Sequence, residues 1–106
     1  MDKKELYNKV LKKWGLEAQL DMLVEECAEL IVAVNHMRRR RILTDNVFEE
    51  CADVSILIEQ MEQFYKTNRI MEWKELKLRR LKTYFKENDY GTTKSEIRKK
   101  TGIRKK

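Results

Sequence analysis

Apolar residues recur along most of this chain at three- and four-residue intervals, the period of a helix with one buried face. Leu6, Val10, Leu11 and Trp14 share such a face, which predicts a first helix over residues 2–14. Gly15 breaks it, because glycine weakens a helix interior and suits its end. A second, longer helix is expected over residues 16–39, with Leu16, Leu20, Leu23, Cys27, Leu30, Ile31 and Val34 as its apolar stripe. It closes on Arg38, Arg39, Arg40 and Arg41, where cations meet the negative end of the backbone dipole. Thr44, Asp45 and Asn46 are three good N-cap residues in succession. They predict a third helix running to about residue 66, with Val47, Cys51, Val54, Leu57, Ile58, Met61 and Phe64 along one side. Thr67 and Asn68 suggest a turn. A fourth helix is expected over residues 70–86, with Trp73, Leu76, Leu81, Tyr84 and Phe85 as buried candidates, ended by residues 88–91. No segment alternates as a strand would. The expectation is an all-α fold, four main helices in an antiparallel bundle-like core.

Composition supports that reading and adds a limit. The chain has no Pro, only three Gly, and 40% charged residues. Low Gly and Pro with abundant Glu, Lys, Leu and Arg favours helix throughout. One domain of 106 residues buries a modest core, so completion by a second copy is expected. The net charge of +6 belongs to the end of the chain. Residues 91–106 hold seven Lys/Arg against one Glu, whereas residues 1–90 are balanced. The division expected is a helical domain over 1–90 and a basic tail over 91–106, flexible or with one short helix capped at Thr93-Lys94-Ser95-Glu96.

The longest wholly apolar run is five residues, far short of the ~20 that span a bilayer. No hydrophobic signal segment follows Met1, so the expected setting is cytoplasmic, with no membrane partner. In a reducing cytoplasm Cys27 and Cys51 read as small core residues, with a disulfide as the alternative. His36 has no evident partner and reads as surface.

Two acidic stretches then demand an explanation. They are Glu25-Glu26-Cys27-Ala28-Glu29 and Glu49-Glu50-Cys51-Ala52-Asp53, each directly before an apolar run. The spacings Glu26/Glu29 and Glu50/Asp53 put two carboxylates on one helix face. Two unit charges ~6 Å apart at an effective dielectric near 20 repel by roughly 3 kcal/mol. If the two pairs meet across antiparallel helices, the summed repulsion rivals the stability of a small domain. Protons, Lys or Arg partners, or divalent metal would relieve it. Oxygen ligands without His or Cys suit Mg²⁺, with Mn²⁺ as the alternative.

The arrangement of Glu25, Glu26, Glu29, Glu50 and Asp53 resembles the EExxE…ExxD signature of the MazG-like, all-α nucleoside triphosphate pyrophosphohydrolases. Relatives in that family include dimeric dUTPases, dCTP pyrophosphatases and phosphoribosyl-ATP pyrophosphatase. Trp14-Gly15 followed by Ala18-Gln19-Leu20, and Lys77-Leu78-Arg79-Arg80-Leu81, also resemble family segments. The likeness covers about residues 7–85. It implies Mg²⁺-dependent cleavage of an NTP or dNTP between the α and β phosphates, giving the monophosphate and pyrophosphate, in a homodimer or homotetramer. Glu26, Glu29, Glu50 and Asp53 would ligate metal; Glu25 would ligate metal or orient the attacking water. Lys77 and Arg80, three residues apart on one helix face, would meet the phosphates.

Base recognition is weakly encoded. Trp14 could stack on a base or belong to the first helix's apolar face, Gln19 could hydrogen-bond to a base, and Asn35 lies within two turns of Glu29. A competing function is a non-enzymatic helical interaction module whose basic tail, with residues 38–41, binds nucleic acid.

Overall fold

Helix α1 (Lys3–Trp14) starts where Asp2 caps it: the Glu5 N–H donates to the Asp2 carboxylate at 2.8 Å. Gly15 separates it from α2 (Leu16–Arg40). At φ 87° and ψ 163° it stands where only glycine is at ease, while its own N–H still donates to the Leu11 carbonyl at 2.9 Å. Residue 41 then ends α2 in the left-handed conformation, at φ 56°. Helix α3 (Asp45–Tyr65) follows, with Thr44 as its N-cap residue. Its far end is a Schellman motif, in which left-handed Lys66 donates to the Gln63 carbonyl and Thr67 to the Glu62 carbonyl. Helix α4 (Arg69–Lys82) gives way to a 3₁₀ turn, Thr83–Phe85. The fourth helix is therefore shorter as an α-helix than its sequence suggests. Thr83 Oγ1 donates to the Arg80 carbonyl at 2.6 Å, and a β-branched residue followed by two aromatics favours a tightened last turn.

This computed structural model describes residues 1–85, and among them every regular element is helical. The basic tail expected over 91–106, and the helix end expected at 88–91, lie outside the described residues. Contacts divide the chain into two units, Met1–Thr67 and Asn68–Lys106.

In the first unit α2 and α3 form the principal contact. The short turn between them makes an antiparallel hairpin, and its core pairs Ala33 and Met37 of α2 with Val47 of α3. Helix α1 packs on both, chiefly on α3. There, buried Tyr7 donates its hydroxyl to Glu59 at 2.6 Å, joined by Lys3 at 3.2 Å. Gln63 adds a bond to Asn8 at 3.3 Å.

The buried set is smaller than the apolar stripes predict. Tyr7, Ala33, Met37, Val47 and Leu57 are the buried hydrophobic residues. Leu6, Trp14 and Ile31, expected inside, are 46%, 56% and 62% exposed. Each helix has a wider apolar arc than its neighbours cover. In the second unit, Trp73, Tyr84 and Phe85 are also exposed rather than buried. Cys51 is exposed and Cys27 half-buried, and both are free thiols, so neither the core reading of Cys51 nor a disulfide holds.

Candidate metal centre

The α2/α3 hairpin brings acids together because both helices carry them at the same height. Pairing Ala33 with Val47 sets the register. One and two turns further from the hairpin tip, Glu29 and Glu26 come up beside Glu50. Carboxylate oxygens of Glu26, Glu29 and Glu50 all lie within 4.8 Å of one another. Asp53, one turn beyond Glu50, is half-buried, and its charge is felt by both Glu26 and Glu50. Glu25 is exposed and is not one of the three converging residues.

The electrostatics are those of a site with too much negative charge. Glu26 is pushed up to about 7. The chief cause is a hydrogen bond shared with Glu50, followed by burial and by the charge of Glu29. Glu50 is also raised, mainly by burial, although the shared bond with Glu26 acts in the opposite sense. One oxygen of each, Oε2, is closed off from solvent and has no hydrogen-bond partner. The side chains as wholes are half-buried, so it is these single oxygens that are sealed. Among the described residues no Lys or Arg pairs with any of the three acids. Of the three ways to relieve the repulsion, cationic side chains are not the one used among the described residues. Protons or a divalent cation remain. The donor set fits a hard cation: carboxylate oxygens from two helices, two of them turned inward without a donor.

A groove opens directly from this cluster towards the hairpin tip. Its first part, about 310 Å³, is an open depression lined by Glu29 and Glu50, by Ala28, Val32 and Ala33, and by His36 and Asn46, and of these only Ala33 is buried. Its second part, about 250 Å³, shares Ala33, His36 and Asn46 and continues past Met37 to Arg40 and Thr44. His36 is exposed, as its lack of an evident partner suggests, and Asn46, expected only as a cap, is exposed beside the same groove. A periodic signal for both was present. His36 lies two turns from Glu29 on α2, and Asn46 one turn from Glu50 on α3.

The remaining expected residues are dispersed. Gln19 is half-buried in the first turns of α2, and Trp14 is exposed beneath the Lys13 ammonium, 4.9 Å from the ring centroid. Neither lines the groove. In the second unit Lys77 and Arg80 share an exposed face of α4, and Lys77 stands 6.0 Å over the Trp73 ring. Arg38, Arg39, Arg40 and Arg41 are all exposed.

Comparison of the chain with protein-family models, curated proteins and solved structures gives no match. Among the described residues no helix is long and apolar enough to cross a membrane.

Proposed function

We propose that the protein is a divalent-cation-dependent hydrolase of nucleoside triphosphates, releasing pyrophosphate and the monophosphate. The observation that carries this reading is the convergence of Glu26, Glu29 and Glu50, with inward oxygens on Glu26 and Glu50 that have no donor. Its order in the sequence, together with Asp53, resembles the signature of the MazG-like pyrophosphohydrolases.

In this reading Glu26, Glu29, Glu50 and Asp53 hold Mg²⁺ or Mn²⁺. When bound, the cation supplies charge neutralisation for phosphate oxygens and a more acidic water. The chain's own residues do the rest. Both Glu26 and Glu50 are raised, so holding a cation there would require these carboxyls to be deprotonated and would be coupled to pH. The two helices fix the carboxylates in place before substrate arrives, which makes catalysis largely a matter of positioning. A polyphosphate still requires cations once the acids have matched the metal charge, and the resemblance makes Lys77 and Arg80 the candidates for that role.

Homo-oligomerisation belongs to the same proposal. Val24, Ile31 and Phe48 are 70%, 62% and 55% exposed, while the hairpin core is small. Such a surface favours covering by another copy.

The test is incubation with canonical and modified NTPs and dNTPs in Mg²⁺ or Mn²⁺. Pyrophosphate should appear in step with the monophosphate. No turnover of any nucleotide with either metal would refute the proposal.

A further inference from the structure

The groove beside the acid cluster has a chemistry of its own. Glu29 and Glu50 belong both to the cluster and to the groove, so a molecule anchored at the carboxylates has this channel as its continuation. Along α2 it extends from Glu29 past His36, about 10 Å on, to Arg40, about 16 Å on. Its apolar lining near the acids includes buried Ala33 and half-exposed Val32. Its polar groups near the acids are an imidazole and a carboxamide. The side chains of His36 and Asn46 make no hydrogen bond to any described residue, so the amide of Asn46 has both a donor and an acceptor available. The first cation reached is Arg40, at the distant end.

A polyphosphate arm would need several fixed cations, where this groove has aliphatic carbon, an amide and one imidazole, with Arg40 only at its distant end. A nucleoside is matched better, with a planar ring for the apolar lining and a hydrogen-bonding edge for an amide. We infer that the groove between α2 and α3 receives the nucleoside end of the substrate, with Asn46 and His36 reading the base. This rests on the hydrolase reading above and moves base recognition away from Trp14 and Gln19. It runs from the acids towards the hairpin tip, the opposite direction along α2.

The experiment is a pyrophosphate-release panel over the common NTPs and dNTPs with Mg²⁺. It compares wild type with Asn46→Ala, Asn46→Asp, Val32→Trp and Arg40→Ala. Asn46→Ala should lower kcat/KM for the preferred base by roughly tenfold, flattening the preference, as the loss of one polar contact does. Asn46→Asp, which replaces a donor with an acceptor, should reorder the bases. Val32→Trp, which crowds the lining, should raise KM for all of them. Each variant should keep the wild-type thermal shift with Mg²⁺, which shows an intact fold and cluster. Unchanged base preference in both Asn46 variants would overturn the assignment. So would a uniform rise in KM confined to Arg40→Ala, which would place the phosphate arm in the groove. Wild type inactive on every nucleotide is a different result: it removes the hydrolase reading and the groove assignment with it.

Discussion

Glu26 on α2 and Glu50 on α3 each turn one oxygen away from solvent, and neither oxygen meets a hydrogen-bond donor. Two acids held this way, with Glu29 within 4.8 Å, strain the metal-free fold. Glu50→Gln keeps the shape, removes a charge and adds an amide donor for Glu26. The melting temperature of this variant in chelator should exceed that of wild type by a few degrees. A lower value would mean that Glu50 is stabilised by a partner in solution.

Protonation gives the same strain a pH signature. In the fold Glu26 titrates at about 7 against an ordinary value of 4.5. The raised value means that the folded chain binds more protons than the unfolded chain between those limits. Its stabilising contribution is complete below 4.5 and is lost as pH rises through about 7. Chelated wild type should therefore melt higher at pH 5 than at pH 8, and Glu26→Gln should reduce that difference. Glu59 has the opposite sign, since Tyr7 and then Lys3 hold its carboxyl below the usual range. Its contribution is lost only in stronger acid, as pH falls below 4.5 and through its lowered value, so the two effects separate.

The Tyr7–Glu59 bond ties α1 to α3 at 2.6 Å. Burial, and then the bond to Glu59, push the Tyr7 hydroxyl up to about 12. Tyr7→Phe should destabilise the protein by about 1 kcal/mol in denaturant melts. It should also remove a phase near pH 12 from the tyrosine absorbance titration. The raised value stabilises fully below 10, and that stabilisation disappears as pH climbs through about 12.

Activity should depend on the carboxylates without depending on the fold. Glu29→Gln and Asp53→Asn should each lower kcat by roughly a hundredfold or more, with helical circular dichroism unchanged. Full turnover in either variant would remove that residue from the set of ligands.

Helix positions were legible from the sequence because they depend on local chemistry. Gly15, the arginine run and the Thr44–Asn46 caps marked ends that the structure keeps within a residue or two. The acid pairs were equally legible, since three- and four-residue spacing maps directly onto a helix face. What periodicity could not supply was the line of contact within each apolar arc. The arc on α2 includes Ile31, yet the contact falls on Ala33 and Met37, where a small residue lets α3 approach. That choice is made by the partner helix, not by the helix itself. The same holds for His36 and Asn46, which become neighbours only once the hairpin register is set.

The central claim is that the sealed carboxylates of α2 and α3 form a cation site. Calorimetric titration of chelator-treated protein with Mn²⁺ and with Mg²⁺ at pH 8 tests it most directly, with Glu50→Gln as the comparison. The account predicts saturable binding by wild type, weaker at pH 5.5 where Glu26 holds its proton, and strongly reduced binding by the variant. No saturable binding by wild type, or equal binding by Glu50→Gln, would contradict it.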